Sequence, residues 1–152
     1  MYKVTTYLNE DNMPYLVKEE VKYNVTTDTI DSPDKVYELT KEMRMTERAT
    51  EMVLLLILDS GNHLICTTDL STGSIDRSII SPREIAQTML LAGGKNCIIA
   101  HNHPSGSSIP SDMDIKVTME IKKALELLRL TLFDHIIVAR NEYTSLSEQN
   151  YM

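Results

Sequence analysis

The chain has 152 residues, 42% of them apolar and 24% charged, and carries a net charge of −7. That length suits a single domain with a substantial core, and the acidic balance argues against broad, sequence-independent DNA binding, which needs a basic surface that releases counterions. Two cysteines, Cys66 and Cys97, leave no disulfide framework or four-cysteine zinc site, while the lack of any apolar run near the ~20 residues of a membrane span and of a signal-peptide pattern predicts a cytoplasmic protein with no membrane contact.

Residues 1–30 are rich in Thr, Asn, Asp and Glu and read as an N-terminal extended arm, with the weak alternation Val21-Lys22-Tyr23-Asn24-Val25 as its candidate strand. The domain proper is expected over 31–152. Ser32-Pro33-Asp34 opens a helix by N-cap, first-position proline and early acid, with Val36, Leu39 and Met43 at helical spacing. Met52–Leu58 is a continuous apolar run, suited to a strand buried on both faces. Asp59-Ser60-Gly61-Asn62 then turns it into a hairpin with residues 63–68. Gly73 and residues 75–80 suggest a further strand. Ser81-Pro82-Arg83-Glu84 carries N-cap, proline and capping-box glutamate, and the helix it opens stops at Gly93-Gly94.

Residues 95–100 form a short, mostly apolar strand, followed by a helix from Ser111 to about Leu128 with Ile115, Met119, Leu125 and Leu128 as apolar positions. Lys116, Lys122, Lys123 and Arg129 lie on or beside that helix and read as a solvated face. Residues 132–139 give another strand, and Asn141-Glu142 turns into a last short one at 143–146. Alternating helices and strands with a hairpin imply an α/β fold, a mixed sheet flanked by helices.

The chemistry concentrates in His101-Asn102-His103-Pro104, followed eleven positions after His103 by Asp114. Side chains two apart on a strand share a side, so His101 and His103 can converge on one ion. Pro104 and Gly106 break the strand into a loop. Ser111 is a good N-cap, and Asp114 falls at the third helical position, where the positive helix end favours an anion. A serine three residues before an acid is, by itself, most often just a cap, and a lone His-x-His pair often satisfies local hydrogen bonds. Combined at this spacing they point to zinc held by His101, His103 and Asp114, with a fourth position open for water. Asp112 directly follows the cap and is a poorer ligand. Cys97 sits four residues from His101, about 13 Å along a strand, and belongs in the core.

The segment from His101 to Asp114 resembles the H-x-H-P-x6-S-x-x-D motif of the JAB/MPN (JAMM) metalloproteases, and His-Asn-His-Pro-Ser-Gly is similar to the RadC-like bacterial branch. Leu58-Asp59-Ser60-Gly61-Asn62, Ser81-Pro82-Arg83-Glu84-Ile85, Phe133-Asp134-His135-Ile136-Ile137-Val138 and Tyr143-Thr144-Ser145-Leu146 also look like family segments, so the likeness covers roughly residues 30–150. It implies a three-layer α-β-α architecture with a mixed central sheet, the cytidine-deaminase-like JAB/MPN fold. It also implies a glutamate as general base just before the strand that packs beside the histidine strand. Glu51 matches that register, and Glu47 is the alternative. Ser111 resembles the family serine, whose hydroxyl stabilises an oxyanion. His135 lies outside the motif and is expected to orient its neighbours.

The leading reading is therefore a zinc-dependent hydrolase acting on a peptide or isopeptide substrate. The alternative is a DNA-repair-associated accessory protein with a non-catalytic metal site. Longer RadC proteins carry a helical region resembling a helix-hairpin-helix DNA-binding module, which residues 1–30 are too short and extended to encode; DNA binding is expected to be weak. A zinc deaminase shares the sheet-and-helix plan, but the H-x-E and P-C-x-x-C signature is absent.

Overall fold

The computed structural model describes residues 1–23, 29–72 and 80–152. In chain order the elements are β1 (Tyr2–Leu8), β2 (Pro14–Glu20), α1 (Pro33–Glu42), β3 (Met52–Leu58), β4 (Leu64–Thr72), α2 (Pro82–Ala92), β5 (Asn96–Asn102), α3 (Asp112–Leu127), β6 (Thr131–Val138) and β7 (Tyr143–Ser145), with a 3-10 turn at Met45–Glu47. The strands make one mixed sheet of order β2-β1-β4-β3-β5-β6-β7. The strand expected over residues 75–80 falls largely on 73–79, outside the described residues.

The apolar run of β3 takes the central position because it has no polar face to offer water, and all seven of its residues are buried. It pairs antiparallel with β4 on one side and with β5 on the other. Its alternating side chains divide the core in two. Val53, Leu55 and Ile57 pack with Cys97 and Ile99 beneath Ile85 and Met89 of α2 and Ile121 and Leu125 of α3. Leu54, Leu56 and Leu58 pack with Ile98, Ala100 and Ile136 against Val36 and Leu39 of α1. The result is three layers: two helices, the sheet, and one helix. Parallel β5 and β6 are joined through α3, as parallel neighbours require a crossover.

Three local expectations are corrected. The N-terminal stretch, expected to be an extended arm, holds two strands, β1 and β2; the candidate strand at 21–25 falls partly on residues 24–28, outside the described residues. The reason is a turn chemistry that composition concealed: Asn9 Oδ1 accepts from the backbone N–H groups of Asp11 and Met13 at 3.0 and 2.8 Å, and Asn12 takes φ 59°. β1 then runs parallel to β4, so the hairpin extends the sheet edge. Secondly, Ser81 makes no side-chain cap hydrogen bond, and α2 is entered through Pro82 at its first turn, with Glu84 exposed. Its far end closes as the Gly-Gly pair predicts: Gly93 is left-handed at φ 72°, and Gly94 N–H donates to Met89 O at 2.8 Å.

The third correction concerns α3. Its buried stripe is Asp114, Thr118, Ile121 and Leu125, whereas Ile115 and Met119 are only half-buried and Leu128 is exposed. The helix presents two polar residues to the interior because its first turns border the polar side chains of His101 and His135 and not the apolar core. No helix among the described residues is long and apolar enough to cross a membrane.

Candidate metal centre

β5 carries His101 within the strand and delivers His103 one residue beyond its end. The pairing Val53↔His101 puts His101 on the α2/α3 face of the sheet. The chain then leaves the sheet through Gly106, at φ 85°. Glu142, in the turn before β7, fixes the loop by accepting from Ser108 N–H and Oγ–H, both at 3.0 Å. The loop returns at Ser111, where α3 begins with a reciprocal capping arrangement. Ser111 Oγ accepts from Asp114 N–H at 3.1 Å, while Asp114 Oδ2 accepts from Ser111 N–H at 2.7 Å and from its hydroxyl at 2.6 Å. The cap thus aims Asp114 at the histidines.

His101, His103 and Asp114 converge, with one ligand atom from each lying within 4.8 Å of the others. His101 Nε2 is 2.8 Å from His103 Nε2 and 3.5 Å from Asp114 Oδ1; His103 Nε2 is 3.7 Å from Asp114 Oδ2. Ligands held tetrahedrally at about 2.0–2.1 Å from an ion would be separated by roughly 3.3 Å, between the 2.8 Å of the two Nε2 atoms and the 3.5 Å from His101 Nε2 to Oδ1. His103 Nδ1 donates to Ser107 O at 2.9 Å, so its Nε2 is left to face the cluster. The other carboxylate oxygen, Oδ2, is committed to Ser111, which leaves Oδ1 for an ion. Two imidazole nitrogens and one carboxylate oxygen, each turned inward, fit a borderline divalent cation such as zinc. Asp112 is exposed and outside the cluster, and Cys97 is buried in the core with its thiol pushed up to about 12 by burial.

The electrostatics of the cluster favour a cation. Burial works against ionisation of Asp114, but the facing His103 and the Ser111 hydroxyl outweigh it and hold the carboxyl well below the usual range. Burial, reinforced by neighbouring His135, drives His101 well below 6.5, so it stays neutral and able to ligate. His103 moves the other way, raised first by Asp114 and further by Ser107 and Glu51.

Glu51 immediately precedes β3. Continuing the antiparallel register from Val53↔His101 puts it opposite His103, on the same side of the sheet. It lines a cleft of about 290 Å³ together with His103, Ser105, Ser111, Met113 and Asp114. Glu47 does not line this cleft; it is paired with Arg44 at 2.7 Å on the 3-10 turn. Asn102, between the two histidines, points to the opposite face and clasps the chain around Glu51. Its Oδ1 accepts from Met52 N–H at 2.7 Å, and its Nδ2 donates to Thr50 O at 3.2 Å. Asn102→Ala strips both partners at a buried position and is expected to cost about 1–3 kcal/mol, at roughly 2–4 °C of Tm per kcal/mol. Thermal melting checks it, and an unchanged Tm would show that the clasp carries no stability.

A family profile described as RadC-like JAB domain matches residues 30–151. The chain belongs to the RadC-like JAB domain family. It is 40% identical over 120 residues to a UPF0758 protein of Thermotoga maritima, covering 79% of this chain and 53% of that protein. It is 37% identical to a UPF0758 protein of Cupriavidus taiwanensis, over 78% of this chain and 51% of the relative. A UPF0758 protein of Methanosarcina acetivorans is 37% identical over 80% of this chain and 52% of its own length. The chain spans about half the length of these curated relatives.

In this RadC-like JAB domain the mixed seven-stranded sheet between helices is the JAB/MPN α/β arrangement. Its site also contains residues that motif spacing does not reveal. His135, on β6, pairs with Ile99 in register and faces His101, with His101 Nδ1 and His135 Nε2 2.7 Å apart. Thr118, one helical turn beyond Asp114, reaches His135 Nδ1 at 2.6 Å. Asn102, Thr118 and Glu142 are polar residues that hold the site from behind. Asn102 and Thr118 are polar side chains on buried positions of a strand and a helix, and Glu142 is an exposed turn residue, so local spacing marks none of them.

Proposed function

We propose that this RadC-like JAB domain is a zinc-dependent hydrolase of amide or isopeptide bonds in peptide substrates. The observation that carries the reading is that Glu51, entering from the start of a different strand, lines the same cleft as His103 and Asp114, with His101 buried behind them. A purely structural zinc takes four protein ligands, and the cluster among the described residues has three, two of which, His103 and Asp114, reach the wall of a cleft.

His101, His103 and Asp114 would hold the ion. Bound there, zinc supplies Lewis acidity, polarising a substrate carbonyl and acidifying a neighbouring water. Glu51 then serves as general base, taking a proton from the attacking water and returning it to the departing amine. Ser111 offers a hydroxyl to the oxygen anion that develops on the substrate. That hydroxyl has one proton and gives it to Asp114 Oδ2 before substrate arrives, so Ser111 must turn from the carboxylate to the substrate as charge appears. The cleft is lined by polar side chains except for Met113, as suits a substrate whose backbone amide is to be hydrogen-bonded.

The test is digestion of peptide and isopeptide libraries, read by mass spectrometry, with zinc-loaded protein, chelator-stripped protein and a His103→Ala variant in parallel. Cleavage should occur only in the first. Absence of cleavage from fully loaded protein across both bond types, or equal cleavage in all three samples, would overturn the proposal.

A further inference from the structure

We propose that Thr118 and His135 are positioning residues that set the tautomer of His101, and with it the ability of His101 to bind a metal. The proposal rests on the metal-binding part of the function proposed above, and not on hydrolysis. A threonine hydroxyl has one, and Thr118 Oγ1 donates it to the backbone carbonyl of Asp114 at 2.5 Å, a group that can only accept. The contact at 2.6 Å between Thr118 Oγ1 and His135 Nδ1 must then be made with the proton of the imidazole. That leaves His135 Nε2 as an acceptor, because the ring is enclosed between a hydroxyl and a second imidazole with no carboxylate among its hydrogen-bond partners, and an uncharged imidazole carries one N–H. Its partner at 2.7 Å, His101 Nδ1, therefore donates. The lone pair of His101 is thereby fixed on Nε2, the atom that faces His103 and Asp114.

Every member of this row is buried. Thr118 and His101 are fully inaccessible, and His135 is 1% exposed. Water is therefore kept from supplying an alternative partner that would let either ring flip its tautomer. If Thr118 pointed its proton at His135 instead, each donor would reverse along the row. His101 would then present Nε2–H to the centre and could not ligate. The same helix supplies the metal-binding carboxylate of Asp114 and, through its carbonyl and Thr118, the orientation of a ligand on another strand.

The experiment uses the full chain. Long-range nitrogen–proton NMR on chelator-stripped protein reports which nitrogen of each ring bears the proton. Zinc affinity is measured by competition with a chromophoric chelator for wild type, Thr118→Val, Thr118→Ser and His135→Asn. The expected results are Nδ1–H on both His101 and His135, a zinc affinity loss of about 10–100-fold in Thr118→Val and His135→Asn, and recovery in Thr118→Ser. A merely structural threonine would be replaced by near-isosteric valine without moving the tautomer. Wild-type His101 carrying its proton on Nε2, or Thr118→Val binding zinc like wild type, would overturn the proposal. Should Thr118→Val fail to fold, the wild-type spectrum and the serine variant still decide it. Protein that binds zinc with this pattern but cleaves nothing would sink the hydrolase reading and leave the tautomer assignment standing.

Discussion

Glu51→Gln is expected to keep zinc at the wild-type ratio while lowering hydrolysis by about 10²–10⁴-fold, the usual contribution of a positioned general base. The amide is nearly the same size as the carboxyl and still makes hydrogen bonds, but it cannot accept the proton that an attacking water must lose. Position makes the case specific to Glu51. It lies opposite His103 in the β3–β5 register and lines the cleft, whereas Glu47 is engaged with Arg44 outside it. Parallel measurement of zinc content and initial rate for Glu51→Gln and Glu47→Gln checks the assignment. Full activity in the first with loss in the second would transfer the role to Glu47. Loss of zinc together with activity in Glu51→Gln would make Glu51 a part of the metal site and not a base.

Much of this arrangement was legible because strand periodicity and helix capping are local. The apolar run at 52–58 had no polar face and so had to lie inside a sheet, and residues 101 and 103 had to share a side once 95–100 was a strand. The cap at Ser111 could be read from one serine and one acid, and the structure forms both of its hydrogen bonds. What escaped the sequence was non-local. Ile115, Met119 and Leu128 suggested the inner face of α3, but the helix is rotated so that Asp114 and Thr118 face inward, where they meet side chains from two other strands. Hydropathy alone assigns such residues to solvent, because the partners that compensate their burial are not neighbours in sequence. The N-terminal hairpin was missed for the opposite reason. Its β2 strand is largely exposed, so it lacks the apolar alternation of a half-buried strand, and its turn depends on one asparagine side chain. Asn102 carried no assignment from its place between the two histidines, and it anchors the segment that leads into Glu51 from a strand fifty residues away.

His103→Ala should remove the zinc bound by wild-type protein, a larger change than the loss of any supporting residue, because two remaining ligands cannot close the site. The effect should also appear in stability. An ion that binds only the folded state adds about 4 kcal/mol when present at a thousandfold excess over its Kd. For a chain of this size that is on the order of 10 °C in Tm. Zinc should therefore raise the melting temperature of wild-type protein and leave that of His103→Ala where it was. The pH dependence has a defined sign. Asp114 raises the pKa of His103 above 6.5 in the metal-free protein. Protonated His103 thus stabilises the metal-free fold fully below the unfolded pKa, and that contribution fades as pH rises through the folded value. Zinc needs the neutral ring and must displace this proton. The zinc-induced rise in Tm should accordingly grow from about pH 6 to about pH 8, across the range in which a raised histidine titrates. A shift that shrinks with rising pH, or survives in His103→Ala, would place the ion away from His103 and would leave Glu51 facing a cleft with no metal beside it.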